Sequence, residues 1–233
     1  MKRNIITTSD GSKTIQIEEW NEQYHSIHGA LQEANHVFLK HGLSYFSDFV
    51  IASGETISES RPISILEIGF GTGLNAFLTL IAAEKLKLII AYTGVEAYPV
   101  KLKEIDQLNY VELISTNHKT SFEKLHESPW EEGIDITSNF KLEKQQNFFK
   151  DITAQNKFDI IYFDAFGARV QPDLWDENMF LIMFNALKVN GVLVTYSAKG
   201  SVRRAMQAVG FTVERLPGPP GKREMLRALK LRA

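Results

Sequence analysis

The chain has 233 residues, 44% hydrophobic and 23% charged, with no cysteine. That is a globular composition, long enough for one large domain or for a domain with a small appendage; it excludes disordered and fibrous classes, disulfides, thiolate zinc sites and cysteine nucleophiles. The formal net charge of −2 is uneven: residues 188–233 hold ten Lys/Arg against Glu214 and Glu224, so a +8 end sits on a −10 body, as either a polyanion footprint or a solvated basic face.

In chain order, Met1-Lys2-Arg3-Asn4 opens without an apolar segment, so no signal peptide is expected. Ile5–Thr8 and Thr14–Ile17 flank Asp10-Gly11, which predicts a hairpin. Leu31, Ala34, Val37 and Phe38 share one face of a helix over 29–40, which Gly42 should end. A second short helix is expected near 43–52, then a polar loop over 53–62. From there strands and helices alternate. Strands are expected at Ile63–Ile68, Leu88–Val95, Phe158–Phe163, Gly191–Tyr196, Phe211–Leu216 and Met225–Leu231, with strand-like pieces over 134–142. Helices are expected at Leu74–Leu86, Val100–Leu108, Ser121–Leu125, Glu177–Ala186 and Val202–Val209. The longest apolar run, Leu74–Ala83, is too short to span a bilayer. Alternation of this kind predicts a doubly wound α/β sheet over 61–233, with a hairpin and helical extension over 1–60.

Gly69-Phe70-Gly71-Thr72-Gly73-Leu74-Asn75 follows a strand and opens a helix. Glycines there permit positive φ and let a ligand approach the backbone. A dinucleotide fingerprint would put its third glycine where Leu74 stands, which disfavours a nicotinamide cofactor. Glu96 ends the next strand, where an acid can accept from ribose hydroxyls. Asp151 suits a hydrogen bond to an adenine amino group, or a plain N-cap of 152–156. Asp164 stands at the carboxyl end of a buried strand, as a catalytic acid or a structural cap. Phe166 and Trp175 follow; their rings suit stacking on a planar base, although Trp175 serves equally as core packing.

Three stretches together carry a resemblance: Glu-Ile-Gly-Phe-Gly-Thr-Gly-Leu-Asn at 67–75, Tyr-Phe-Asp-Ala-Phe through Gln-Pro-Asp-Leu-Trp at 162–175, and Ser-Ala-Lys-Gly-Ser-Val-Arg-Arg through Lys-Arg-Glu-Met-Leu at 197–226. With Glu33-Ala34-Asn35-His36-Val37-Phe38-Leu39, they resemble the methyltransferase domain of the bifunctional tRNA modification protein MnmC and its stand-alone counterpart MnmD. Gly167-Ala168 and Gln171-Pro172 depart from that family's usual Ala-Pro and Asn-Pro.

The resemblance implies a class I fold dependent on S-adenosyl-L-methionine (SAM), with a seven-stranded, mostly parallel sheet in the order 3-2-1-4-5-7-6. It implies methylation of the exocyclic amine of 5-aminomethyl-2-thiouridine at the tRNA wobble position, in the cytoplasm, with no metal and no membrane partner. Glu67, Gly69, Phe70, Gly71, Gly73, Asn75, Glu96 and Asp151 would hold SAM. Asp164 would bind the amine and take its proton. Phe166, Trp175, Lys199, Arg203, Arg204, Lys222 and Arg223 would hold the tRNA. The family's bifunctional members also carry a FAD-dependent oxidoreductase half, for which this chain has no second domain, so a separate enzyme is expected to supply the aminomethyl precursor. A small-amine methyltransferase, an aminopropyltransferase and a non-catalytic RNA-binding module are the alternatives on this fold.

Overall fold

A computed structural model describes residues 2–52 and 61–232. The expected polar loop lies outside the described residues except for Arg61 and Pro62, and so does the boundary expected at residue 60.

β1 (Arg3–Thr7) and β2 (Lys13–Ile17) form the expected antiparallel hairpin, with Gly11 at φ +83° in its turn. A two-residue strand, β3 (Glu22–Gln23), pairs with β2. Eight further strands build one sheet: β4 (Ile63–Ile68), β5 (Ile90–Val95), β6 (Gly133–Thr137), β7 (Phe140–Gln145), β8 (Phe158–Phe163), β9 (Leu187–Thr195), β10 (Thr212–Pro217) and β11 (Glu224–Leu229). Their spatial order is β10-β11-β9-β8-β4-β5-β7-β6. The pairs β7–β5, β5–β4, β4–β8 and β8–β9 are parallel; β11 runs antiparallel to both β9 and β10.

The sheet therefore has the expected order 3-2-1-4-5-7-6 plus an eighth strand. β6 is the addition: it folds back on β7 as an antiparallel hairpin, with an irregularity between Asp135 and Thr137. It sits at the sheet edge with only one side chain fully buried, so its sequence lacks the apolar run that marks a central strand. β4 and β8 are the opposite case. Covered on both faces, they need mostly apolar sequence, which Ile63–Ile68 and Phe158–Phe163 supply around Ser64, Glu67 and Asp159.

One layer of the core packs Val37, Phe38, Leu43, Phe77 and Phe122 against the sheet residues Ile160, Tyr162, Val192 and Val194. The other packs Trp175, Phe180, Met183 and Met206 against Leu66, Ile161, Phe163 and Leu193. In the first layer the helix does not stop at Gly42. Residues 30–52 wind on without interruption, and the stretch Asn35–Ser44 has the wider π-type turn. Gly42 is buried within it. A Cβ there would stand 3.0 Å from Tyr162 Cε1 and 3.1 Å from Val194 Cγ2. The glycine lets the helix close on the sheet; it does not end the helix. The helix expected at 121–125 is present and longer, Lys119–Glu127; the one expected at 100–108 is only the turn Leu102–Ile105, and a further short helix, Tyr110–Ile114, follows it. Among the described residues, no helix is long and apolar enough to cross a membrane.

Gly42→Leu should overpack this contact and lower stability by about 1–3 kcal/mol, read by urea unfolding. An unchanged unfolding midpoint would show that the helix can lift off the sheet at little cost.

Candidate active site

The glycine loop crosses the carboxyl end of β4. Gly69, Gly71 and Gly73 have φ of +91°, +50° and +72°. Each also lacks room for a side chain. A Cβ on Gly69 would stand 2.7 Å from the Asp164 carbonyl oxygen; on Gly71, 3.0 Å from Tyr24 Cδ1; on Gly73, 2.8 Å from His126 Cε1. Phe70 takes a different part from the one expected. Its amide donates to Val95 O at 3.1 Å, and its ring is buried beside Gly94, with His126 and Trp130 around it. It wedges the loop from below and offers little surface to a ligand.

Glu96 lies one residue beyond β5. Its carboxylate accepts from the Gly71 amide at 3.1 Å and the Tyr98 amide at 3.0 Å. Burial raises its pKa, and the two amides oppose the rise. Asp151 is exposed in the short turn Phe149–Asp151 after β7. No helix follows at 152–156, so the N-cap reading of Asp151 falls. Tyr98 and Phe148, which the sequence did not single out, are both about half exposed and meet edge to face at 6.0 Å beyond β5 and β7.

At the centre stand two carboxyl groups from adjacent parallel strands. Glu67 is in β4 and is 1% exposed; Asp164 follows β8 and keeps an opening to solvent. The Asn75 Nδ2 group, in the first turn of the helix Leu74–Leu86, donates to Glu67 Oε1 at 2.9 Å and to Asp164 Oδ2 at 2.8 Å. Burial pushes Glu67 well above the usual carboxylate range; the Asn75 bond opposes this and the nearby Asp164 adds to it. Burial also lifts Asp164, to about 7, with Glu33 adding to the rise while Asn75 and Lys222 oppose it. The arrangement offers a carboxyl group able to gain or lose a proton near neutrality.

The expected substrate wall divides. Phe166 meets Trp20 at 5.4 Å and Tyr24 at 4.9 Å, both edge to face, and is half-buried. Trp175 belongs to the core: it is 5% exposed, packs on Phe163, Phe180 and Tyr196, and donates from Nε1 to Phe166 O at 2.8 Å. It supports the Phe166 loop and is not a stacking platform. Trp20 and Tyr24 were missed because nothing local links them to a loop some 140 residues away. That loop is also tied down by Arg169, which donates to Glu22 Oε1 at 3.1 Å and to the Trp20 carbonyl at 2.6 Å.

The basic end is not one surface. Lys188 pairs with Asp159, Arg215 with Glu224, Arg227 with Glu214, and Lys230 donates to the Phe184 and Leu187 carbonyls. Lys222, expected on phosphate, is paired with the buried Glu33. Lys199, Arg204 and Arg223 are exposed; Arg203 is half-buried. Among the described residues, no cluster of three or more His, Asp or Glu is placed to hold a metal ion.

The crevice suits an adenosyl sulfonium. The loop glycines stand at positive φ with Gly69 against the Asp164 carbonyl, the Glu96 carboxylate follows the neighbouring strand and accepts from the Gly71 amide, the Asn75 Oδ1 atom is buried without a partner, and the surrounding acids favour a cation. This is also the switch point of the sheet, where open α/β folds bind ligands.

A family model described as S-adenosyl-L-methionine-dependent methyltransferase matches residues 109–231. The chain is 28% identical over 225 residues to the tRNA 5-methylaminomethyl-2-thiouridine biosynthesis bifunctional protein MnmC of Leptospira borgpetersenii serovar Hardjo-bovis, covering 90% of this chain and 32% of that protein. The MnmC of Hydrogenovibrio crunogenus is 28% identical over 216 residues, covering 88% of this chain and 31% of that protein. The chain thus spans about a third of the length of the curated relatives it matches. Among solved structures, MnmC2 from Aquifex aeolicus superposes with a TM-score of 0.75 at 24% identity, over 100% of this chain and 72% of that one. Spermidine synthase from Thermotoga maritima gives 0.58 at 13%, over 97% and 67%. Both are likenesses of fold.

The Asp164 environment sets a pH signature. In the folded chain it titrates at about 7, against an ordinary value of 3.8. The folded state therefore holds this proton more tightly than the unfolded one, and the group's contribution to stability falls as pH rises from about 4 to 7. Asp164→Asn removes that loss and keeps an acceptor for Asn75. The variant should gain on the wild type by about 2–4 kcal/mol between about pH 4 and pH 8, measured by urea unfolding. A gap that does not change with pH would mean that Asp164 titrates normally.

Proposed function

The chain belongs to the S-adenosyl-L-methionine-dependent methyltransferase family, and from that premise we propose that it methylates the exocyclic amine of 5-aminomethyl-2-thiouridine at the tRNA wobble position, giving 5-methylaminomethyl-2-thiouridine. The observation that carries this reading is the convergence of the glycine loop and Asp164 on one crevice. The MnmC names of its relatives supply the substrate class.

SAM, when bound, supplies an electrophilic methyl group on a sulfonium. Gly69, Gly71 and Gly73 would face it with bare backbone, Glu96 would accept from the ribose, and Asp151, with the exposed Tyr98 and Phe148, would hold the base. The rest of the chemistry belongs to the protein. An alkylamine attacks only through a free lone pair, and near neutrality it is mostly an ammonium. Asp164 binds that ammonium, orients it and takes its proton. A normal carboxylate would hold the ammonium charged and accept its proton poorly. Burial brings the Asp164 pKa to about 7, which narrows the gap to the amine and suits an acceptor working near neutrality. Asn75, bonded to the same carboxylate, fixes its orientation.

Phe166, flanked by Trp20 and Tyr24, would receive the base once it leaves the anticodon stack. Lys199, Arg204 and Arg223, which are exposed, are the side chains available for phosphate; Arg203 is the half-buried fourth. On this reading the reaction would take place in the cytoplasm. A separate enzyme would supply the aminomethyl group.

The test is single-turnover methylation of undermethylated tRNA. Asp164→Asn should lower the rate by about 10²–10⁴-fold and leave SAM affinity, read by calorimetry, within a few-fold. Rescue of the variant between about pH 7 and 10 would assign Asp164 to binding and orientation; lack of rescue would assign it to proton transfer. Wild-type rates in the variant would contradict the proposed role.

A further inference from the structure

Glu33 and Lys222 take no part in the chemistry above, yet they meet near Asp164, Glu33 buried and Lys222 half-buried. Glu33 is 7% exposed, in the segment Ala30–Ala34. Its Oε2 accepts from the Ser26 amide at 2.9 Å, and its Oε1 accepts from Lys222 Nζ. Lys222 lies 189 residues away, in the turn between β10 and β11. Its ammonium also sits 3.9 Å from the centre of the Tyr196 ring. The Tyr196 hydroxyl donates in turn to the carbonyl of Ala165, the residue after Asp164, at 2.8 Å. Three elements therefore fix the position of one ammonium whose charge reaches Asp164 without a salt bridge to it: the N-terminal helix, the end of β9 and the β10–β11 turn.

Stability alone is a weak reason for such a pair, because apolar replacements of a buried ion pair are often as stable. Its charges have a different consequence. The other titratable groups that feel the Asp164 charge are acids or phenols, each raised by it: Glu67 from β4, Tyr92 from β5, Tyr110 from Tyr110–Ile114 and Tyr196 after β9. Lys222 is the cation among those that act on it. An ammonium bonded directly to Asp164 would neutralise the carboxylate and make it strongly acidic, hence a poor proton acceptor and closed to an incoming amine.

We propose that Glu33 is a positioning residue for the methyl transfer: it holds Lys222 against the Tyr196 ring and off Asp164, so that the Asp164 carboxylate stays open to the substrate amine. The consequence for catalysis rests on the methyl-transfer reading; the competition between Glu33 and Asp164 for Lys222 does not. Glu33 attracts Lys222 through a charge-assisted hydrogen bond, and the Tyr196 ring adds a cation–π contact. Loss of the Glu33 charge frees the ammonium to move to Asp164.

The experiment has two arms, both on the full chain. In the first, the Asp164 carboxyl carbon is followed by ¹³C NMR against pH without ligand, assigned by its loss in Asp164→Asn. Glu33→Gln keeps the acceptor for the Ser26 amide. It should move the Asp164 midpoint down by about one pH unit or more. Part of that shift is the loss of the Glu33 charge itself, which raises Asp164 directly; the rest comes from the freed cation, so Lys222→Met should raise the midpoint more in Glu33→Gln than it does in the wild type. In the second arm, Glu33→Gln should slow single-turnover methylation at least about tenfold, with SAM affinity unchanged, and Lys222→Met added to it should restore part of the rate. A merely structural pair would give an additive loss with no rescue. An Asp164 midpoint unmoved in Glu33→Gln, or a rise on Lys222→Met no larger in Glu33→Gln than in the wild type, would overturn the proposal. Should Glu33→Gln fail to fold, Lys222→Met alone decides: its Asp164 midpoint should rise, and an unmoved or lower one would overturn the proposal. A wild-type protein that does not methylate tRNA, but shows the expected titrations, would overturn the methyl-transfer reading and support the competition for Lys222.

Discussion

Asn75 Nδ2 donates to both Glu67 and Asp164, at 2.9 and 2.8 Å, and so holds two carboxyl groups from neighbouring parallel strands within reach of one amide. Such a pair is costly to ionise fully. Each group loses water, and each raises the other's cost of charging. The topology makes the encounter unavoidable. β4 and β8 are adjacent, their helices leave on opposite faces, and both chains turn away at the same end of the sheet. Gly69 belongs to the same constraint, since any side chain there would strike the Asp164 carbonyl. Loop, helix start and both acids thus fix one another. A cationic ligand in the crevice would relieve the excess negative charge, which links a sulfonium donor and an ammonium acceptor to one electrostatic field.

The first 52 residues complete this site. Tyr24 lies over Gly71, and with Trp20 it brackets Phe166. Arg169 binds the Phe166 loop back to Glu22 and to backbone of the same segment. Glu33 reaches the far edge through Lys222. The long helix that carries Glu33 is seated by the close approach at Gly42. The Gly42 contact on Tyr162, the β8 residue opposite Glu67, therefore helps seat the helix that carries the Glu33 charge.

What was legible in the sequence follows what is local. The apolar-rich strands β4 and β8, the three-glycine loop and the acids that follow β5 and β8 are continuous in the chain, and they stand where the pattern put them. Features that depend on distant partners were not legible. Gly42 reads as a helix stop until Tyr162 and Val194 appear beside it. Lys222 reads as one more surface cation in a basic end, because its partner is 189 residues earlier. Trp175 carried two readings, and only its neighbours Phe163 and Phe180 decide for the core. Phe70 sits in a ligand loop by sequence but under it in space, in the room left by Gly94. The eighth strand escaped because an edge hairpin needs no apolar run.

The central claim is that this crevice adds one methyl group to the amine of a wobble nucleoside. Mass spectrometry of wobble nucleosides, from cells with and without the gene, tests it most directly. Loss of the protein should replace 5-methylaminomethyl-2-thiouridine with its unmethylated 5-aminomethyl precursor, and wild-type protein, but not Asp164→Asn, should restore the methylated form. Unchanged wobble nucleosides in cells without the protein would contradict the account.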